Sequence, residues 1–201
     1  MKISVISYSM TGNNDALAAE IADVIAAEHI VITEPRHRSM GKIVLDILLD
    51  RSPKIDQNID GMEENDLVLF VGPVWMGHAA SPLRPCLNHL RARPCDYAFI
   101  SISGGADGPN PSLGDDLVKR AGKAPKALID LHIADLLPSD RKPTRKDTMR
   151  YRLDRQDTIV LCNTAVRLLR DIMGLRVEGI DSKRIEGSRV QESAESPRRQ
   201  V

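Results

Sequence analysis

The pattern of apolar and polar positions alternates between two periods along most of the chain. Continuous apolar runs predict buried strands at residues 3–7, 29–33, 66–72 and 97–103. A further segment, "ALIDLHIADL", alternates Asp130 and His132 against apolar neighbours, which predicts a half-exposed edge strand. Strands that alternate with helices predict an α/β fold with a parallel sheet covered on both faces.

Stripes of apolar residues at helical spacing predict the helices between these strands. A short helix is predicted at 112–121, and Ser81 with Pro82 is expected to cap and begin the helix before it. The stripes are Leu17, Ile21, Val24 and Ile25; Met40, Ile43, Val44, Ile47 and Leu48; Leu83, Leu87 and Leu90; and Ile159, Cys162, Val166, Leu169 and Met173.

Two segments interrupt the alternation. Residues 138–155 are rich in arginine and lysine with almost nothing apolar, which predicts a basic loop or arm. Residues 181–201 are too polar to pack and predict a frayed C-terminal tail. Because a chain of 201 residues most simply forms one core, we expect a single domain over residues 1–180.

Charge and cysteine content narrow the functional classes. The 28 basic and 28 acidic residues balance, so no overall field favours nucleic acid or an anionic membrane surface. Three cysteines without a CxxC pair are typical of free thiols in a reducing compartment. The segment "MKISVIS" is too short and polar for a signal peptide or a membrane span, so we expect a cytoplasmic protein.

Chemistry-bearing residues are concentrated after the first, third and fourth predicted strands. In a parallel sheet these strand ends lie at one edge, where ligands of such folds bind. The segments are "SYSMTGNND", "GPVWMGHAASP" and "SISGGADGPNP".

The first of these loops suits an anion although it has no basic residue. Ser9, Thr11, Asn13 and Asn14 offer side-chain donors, and Gly12 lets the backbone approach a ligand where the first helix exposes unpaired N–H groups. The sequence has no GxxxxGK[ST] or GxGxxG pattern here, and it lacks the acidic residues of a phosphoacceptor site. The alternative is an ordinary strand-to-helix turn.

The second and third loops offer a ring and a flexible backbone. Trp75 is the only tryptophan, and at a strand end it favours stacking on a flat ligand, with a place in the core as the alternative. His78 is a weaker candidate for catalysis, because a loop histidine is more often simply solvated. In "SGGADG" the glycines give the backbone the freedom to turn its N–H groups toward a planar ligand, and Asp107 can cap a turn. The alternative is simply a flexible loop.

Taken together, the three loops resemble those of the flavodoxin family over roughly residues 1–175. "SMTGNN" is similar to the family's phosphate motif [ST]-x-T-G-N-T, and "GPVWMG" is similar to the segment whose aromatic residue stacks on the flavin. The resemblance implies a three-layer α-β-α fold with five parallel strands in the order 2-1-3-4-5, and FMN as cofactor.

The resemblance also implies three groups of FMN-binding residues. Ser9, Met10, Thr11, Gly12, Asn13 and Asn14 would surround the phosphate; Pro73, Val74, Trp75, Met76 and Gly77 would line the isoalloxazine; and Ser103, Gly104, Gly105, Ala106 and Asp107 would meet its pyrimidine side. No metal is implied.

Three features depart from the family's pattern. Asn14 stands where the motif usually has threonine. No aromatic residue lies between Phe99 and Tyr151 to cover the outer flavin face, and the chain is neutral whereas electron-carrier flavodoxins are typically acidic. The last two departures favour an enzyme.

The function that the resemblance implies is an FMN-dependent oxidoreductase that passes a hydride from NADH or NADPH to a quinone or similar acceptor, with no firm catalytic residue. The alternatives are a flavodoxin-type electron carrier between protein partners and a scaffold that has lost the flavin. Basic residues of the arm are candidates for contact with the phosphates of the nicotinamide cofactor, and a solvated arm or a dimer contact is the alternative. They are Arg141, Lys142, Arg145, Lys146 and Arg150. A homodimer is also expected, because exposed sheet edges in such folds often pair.

Overall fold

The computed structural model describes residues 1–34, 41, 45–47, 49–138 and 141–173. Within these residues the strands are β1 (Ile3–Ser7), β2 (Glu28–Val31), β3 (Leu67–Val71), β4 (Val74–Trp75), β5 (His78–Ala79), β6 (Asp96–Ser103) and β7 (Leu128–His132). The helices are α1 (Asn13–Ile25), α2 (Arg84–Ala92), α3 (Leu113–Ala121), α4 (Arg145–Arg150) and α5 (Arg155–Met173).

Five of these strands form one parallel sheet in the order β2-β1-β3-β6-β7. Numbered within this sheet alone, the order is 2-1-3-4-5, so the predicted topology is confirmed. β7 is an edge strand, as predicted, but it ends at His132, and a 3-10 turn over Ile133–Leu136 follows. The sheet order brings the carboxyl ends of β1, β3 and β6 together at its centre.

Helices cover both faces of the sheet, and the side chains of β3 are buried on both faces as a result. Leu67, Leu69 and Val71 belong to a buried cluster with α1 and α5, whereas Val68 and Phe70 belong to a second cluster with α2 and α3. Alternate residues of a strand point to opposite faces, so a continuous apolar run is buried on both sides. Each fully buried aliphatic side chain contributes about 1.5–3 kcal/mol before conformational entropy is counted.

The entry into α2 differs from the expectation. Ser81 does not cap the helix; it is buried in a 3-10 turn over Ser81–Leu83, and α2 begins at Arg84 without a side-chain cap. The turn forms because Leu83 N–H donates to the carbonyl oxygen of Ala80 at 2.9 Å. Pro82 has no N–H to place, so it fits the second position of this turn, where an N–H would have no partner within the turn.

The basic segment is more ordered than a loop. Thr144 and Asp147 form a capping box at the start of α4, and Thr148 is buried. Tyr151 and Leu153 pack against the cluster of α1 and α5. These few apolar contacts fix the segment to the body of the protein. We call residues 141–154 the arm.

Some predictions lie outside the described residues. Of the stripe from Met40 to Leu48 only Ile47 is described, and the tail at 181–201 is not. The single domain over residues 1–180 stays a prediction. All three cysteines are free and buried. Within the described part of the chain, no helix is long and apolar enough to cross a bilayer and no side-chain cluster is suited to a metal ion.

Candidate functional site

The three predicted loops lie at one edge of the sheet, after β1, β3 and β6. We call residues 8–14 the first loop, residues 72–80 the second loop and residues 103–112 the third loop. Backbone hydrogen bonds join the first residue of two of these loops to the neighbouring strand. Tyr8 N–H donates to the carbonyl oxygen of Val71 in β3 at 3.1 Å, and Gly72 N–H donates to that of Ile100 in β6 at 3.0 Å. The parallel sheet therefore brings them together as predicted.

The first loop directs two backbone N–H groups at one oxygen. Gly12 N–H donates to Ser9 Oγ at 2.9 Å, and Asn14 N–H donates to the same oxygen at 3.2 Å. Gly12 makes this turn possible because its φ of +91° lies in the left-handed region, which other residues adopt at a cost. The result is a donor cluster at the N-terminus of α1, where the helix dipole also favours negative charge.

The side chains of Asn13 and Asn14 are buried and bind other parts of the protein. Asn14 Nδ2 donates to the carbonyl oxygen of Ile102 at 3.1 Å, and its Oδ1 accepts from Ile102 N–H at 2.9 Å. Asn13 forms an equivalent pair with the backbone of the arm. Its Nδ2 donates to the carbonyl oxygen of Tyr151, and its Oδ1 accepts from Leu153 N–H. An amide can do this because it carries a donor and an acceptor. What these residues offer a ligand is therefore their backbone N–H groups, not the predicted side-chain donors.

The second loop contains a hairpin that positions the tryptophan. β4 and β5 pair antiparallel, with Trp75 opposite His78, and Met76 and Gly77 form the turn with φ values of +51° and +79°. Trp75 is half-buried, and its ring meets the Tyr8 ring edge to face with centroids 5.8 Å apart. Trp75 thus packs partly on the core and keeps part of its surface at the site.

His78 is fixed by a carboxylate that the sequence did not indicate. His78 Nδ1 lies 3.0 Å from Asp116 Oδ1, and the other oxygen of Asp116 accepts from Ala79 N–H at 3.1 Å. Arg120 Nε donates to Asp116 Oδ1 at 3.3 Å. Asp116 is buried and lies 38 positions away along the chain, so only the tertiary structure joins it to the hairpin.

The third loop is attached to the edge strand β7. A Cβ on Gly105 would lie 2.4 Å from His132 Cβ, so only glycine fits there, with its φ of +71°. Asn110 Nδ2 donates to Asp130 at 2.9 Å, and Ser101 and His132 also bind that carboxylate. Burial alone would raise the pKa of Asp130, but these hydrogen bonds outweigh it and hold the pKa below its ordinary value.

The arm contacts both the first and the third loop. Arg145 Nε donates to Asp107 Oδ2 at 2.7 Å, with both side chains exposed. A Cβ on Gly104 would lie 2.9 Å from Thr148 Oγ1, so the arm packs closely on the third loop. With Asn13 bound to its other end, the arm spans the site from one loop to the other.

A partly buried hydrogen-bonded chain lies under the first loop. Ser7 Oγ donates to Asp15 Oδ1 at 2.6 Å and lies 2.9 Å from His29 Nε2. Because the single hydroxyl proton goes to Asp15, His29 Nε2 must carry a proton and donate to Ser7. Burial raises the pKa of Asp15, and burial lowers the pKa of His29 against the opposing effect of Asp15.

Solved structures share this fold. A flavoprotein from Lactobacillus acidophilus NCFM in complex with FMN is 22% identical with a TM-score of 0.55, over 64% of this chain and 92% of that one. A candidate flavoprotein from Bacteroides eggerthii DSM 20697 is 14% identical with a TM-score of 0.60, over 87% and 99%. One from Bacteroides uniformis ATCC 8492 is 13% identical with a TM-score of 0.53, over 65% and 88%. No protein-family model and no curated protein matches the sequence.

Proposed function

We propose that this protein, whose fold is flavodoxin-like, binds FMN across its three loops and acts as a flavin-dependent oxidoreductase. The observation that carries the proposal is the convergence of two backbone N–H groups on one oxygen at the start of α1. Trp75 lies at the same edge of the sheet. Its half-buried ring contacts Tyr8 of the first loop, the loop that carries these N–H groups. Donors for an anion and a surface for a flat ring are the two requirements of a flavin mononucleotide.

The chemistry of the first loop suits a phosphate monoester. Ser9 Oγ takes the position of an oxygen acceptor for the N–H groups of Gly12 and Asn14. We propose that a phosphate oxygen replaces Ser9 Oγ as the acceptor of these two hydrogen bonds, and that the released hydroxyl donates to the phosphate. The anion adds the negative charge that a helix N-terminus favours. Under this proposal the phosphate is held by Ser9, Met10, Thr11, Gly12, Asn13 and Asn14, the two asparagines through their backbone.

The other two loops supply the remaining contacts under this proposal. Pro73, Val74, Trp75, Met76 and Gly77 line the isoalloxazine, and Ser103, Gly104, Gly105, Ala106 and Asp107 meet its pyrimidine side. The hairpin of the second loop supports the first assignment, because β4 and β5 hold Trp75 in one orientation. The close packing of the third loop on Thr148 and His132 supports the second, because it fixes the backbone there.

The reaction that we propose is the reduction of a quinone or similar small molecule by NADH or NADPH. FMN, when bound, supplies the hydride chemistry, and the protein binds and orients the reactants. We assign His78 to holding the hairpin, because its Nδ1 is bonded to Asp116. The cationic side chains of Arg141, Lys142, Lys146 and Arg150 are the proposed contacts for the phosphates of the donor.

Binding is tested by titrating the purified protein with FMN while following absorbance and fluorescence. Because Trp75 is the only tryptophan, quenching of its emission reports directly on a ligand at the second loop. Trp75→Phe serves as the control, since it removes the signal and keeps an apolar ring. The proposal fails if FMN produces neither quenching nor a change in the flavin absorbance bands.

Turnover is tested separately with the FMN-loaded protein, both nicotinamide cofactors and a panel of quinones. Flavin binding without turnover would leave the protein an electron carrier between protein partners. The exposed Met10 and Met76 at the rim of the site favour that second candidate, because methionine adapts to protein surfaces. A long-wavelength absorption band during stepwise photoreduction is expected of a carrier, and a direct two-electron bleach is expected of the oxidoreductase.

A further inference from the structure

The first loop contains no lysine or arginine, yet the fold places an arginine next to it. Asn13 Nδ2 donates to the carbonyl oxygen of Tyr151 at 3.1 Å. Arg152 Nη1 donates to that same carbonyl oxygen at 3.0 Å. One oxygen atom therefore accepts from the first residue of α1 and from a guanidinium group, so the cation lies beside the N-terminus of the helix.

Arg152 differs from the arginines near it in what it binds. Arg145 is paired with Asp107, and Arg141 lies 3.4 Å from Asp147. Among the described residues Arg152 forms no ion pair, and its hydrogen bonds are to the carbonyl oxygens of Met149 and Tyr151. Its side chain is exposed, so its guanidinium group is accessible to a ligand.

We propose that Arg152 is the cationic ligand of the FMN phosphate, delivered to the first loop by the arm. The proposal rests on the function proposed above. The bond from Asn13 Oδ1 to Leu153 N–H, at 3.2 Å, fixes the backbone on the far side of Arg152 as well. Both neighbours of Arg152 are thus tied to Asn13, which leaves the guanidinium little distance to cover. A guanidinium suits a phosphate because its planar N–H groups bind two oxygens at once.

A structural role is the competing explanation. Arg152 Nη1 donates to the carbonyl oxygen of Met149 at 3.2 Å, near the C-terminus of α4. The helix dipole favours a cation at that end, so this contact alone could stabilise α4. A residue that only stabilises α4 would affect the binding of any flavin equally. A phosphate ligand would affect FMN but not riboflavin, which has the same ring system without the phosphate.

The experiment compares the wild-type protein with Arg152→Gln and Arg155→Gln. Glutamine removes the charge and keeps a donor for the carbonyl oxygens. Arg155 is an exposed arginine three positions further along, so its replacement makes the same change in net charge. Dissociation constants for FMN and riboflavin are measured by Trp75 quenching at low and moderate ionic strength, and thermal unfolding is recorded for each variant.

The expected result is about tenfold weaker FMN binding for Arg152→Gln, the typical loss of one charge-assisted hydrogen bond. Riboflavin binding and the unfolding temperature are expected to change little, and Arg155→Gln is expected to match the wild type. FMN binding to Arg152→Gln is also expected to depend less on salt, because a screened contact has been removed.

Three results would overturn the inference. Equal FMN affinity in wild type and Arg152→Gln would remove Arg152 from the phosphate site and leave the proposed function intact. Equal loss of FMN and riboflavin binding would assign Arg152 to the structure of the arm. If the wild-type protein binds neither flavin, the proposed function itself fails, and the role of Arg152 fails with it.

Discussion

The side chain of Asn13 joins the start of α1 to the backbone of Tyr151, with Nδ2 donating to the carbonyl oxygen at 3.1 Å. Its Oδ1 accepts from Leu153 N–H at 3.2 Å. The two partners lie about 140 positions away along the chain and on either side of Arg152. The amide offers a donor and an acceptor together, so this one side chain holds the arm at two backbone positions, in addition to the apolar contacts of Tyr151 and Leu153.

Replacing Asn13 is expected to release the arm. Asn13→Ala removes two partly buried hydrogen bonds and is expected to lower the free energy of unfolding by about 1–3 kcal/mol. Trypsin is expected to cut within residues 141–154 faster than in the wild type, because that segment is rich in lysine and arginine. Asn88→Ala is the control, since Asn88 is an exposed asparagine whose side chain, among the described residues, binds Ser52. Equal cleavage rates in wild type and Asn13→Ala would contradict this role.

Restoring the usual residue of the resembled motif is expected to harm this protein. Asn14→Thr removes the paired hydrogen bonds with Ile102, which lie at 3.1 and 2.9 Å in a buried position. Threonine cannot both donate to and accept from this backbone at that reach, so a buried N–H or carbonyl group loses its partner. We expect a loss of about 2–4 kcal/mol in chemical denaturation, from two buried hydrogen bonds. A variant as stable as the wild type would show that Asn14 is interchangeable with the motif's threonine.

The sheet was predictable because strand and helix periods are local properties of the sequence. Val68 and Phe70 read as one apolar run with their neighbours, and the structure buries that run on both faces. The loops were located for the same reason, since each follows a recognisable strand. The partners of the loop residues were not predictable. Asn14 and Ile102 are 88 positions apart, and neither the spacing nor the residue types reveal the bond between them.

Tyr8 and the β4–β5 hairpin show the same limit. Tyr8 directly follows the first predicted strand, and its contact with Trp75 arises only when β1 and β3 become neighbours. The hairpin has one local signal in the sequence, because Met76-Gly77 is a two-residue connection with glycine second. This signal is weak because Met76 occupies the first position of the turn, where a left-handed conformation usually requires asparagine, aspartate or glycine.

Removing the carboxylate behind the hairpin is expected to loosen the second loop. Asp116→Ala leaves His78, Arg120 and Ala79 N–H without their shared acceptor in a buried position. The loss of a buried charge with several partners is expected to cost about 3–5 kcal/mol in unfolding free energy. Asp115→Ala, one position earlier in the same helix turn, is the matched control. Trp75 emission is expected to shift toward longer wavelength in Asp116→Ala, because a loosened hairpin exposes the indole.

A smaller change at the same place separates anchoring from catalysis. His78→Gln keeps a side-chain donor for Asp116 but has no group that titrates near neutral pH. If His78 only anchors the hairpin, FMN affinity and the pH profile of turnover are expected to remain close to those of the wild type. A lost limb in the pH profile, measured with the FMN-loaded protein, would show that His78 moves a proton.

Acid conditions are expected to weaken the structure under the first loop through His29. Burial lowers the pKa of His29 below its ordinary value of 6.5, so the folded state resists protonation. A group of this kind contributes stability above pH about 6.5 that is lost as the pH falls through the folded pKa. Chemical denaturation of the wild type is therefore expected to show falling stability on acidification from neutral pH. His29→Gln is expected to show a shallower fall.

The neighbouring carboxylate provides the test of this interpretation. Asp15 raises the pKa of His29 and so opposes the effect of burial. In Asp15→Asn that opposing charge is gone, while the amide oxygen still accepts from Ser7. The pKa of His29, followed by NMR of the imidazole ring, is then expected to fall further than in the wild type. Asp66→Asn, at an exposed position bound to the backbone of Lys2, is the control. A rise in the pKa of His29 in Asp15→Asn would show that Asp15 does not oppose the effect of burial.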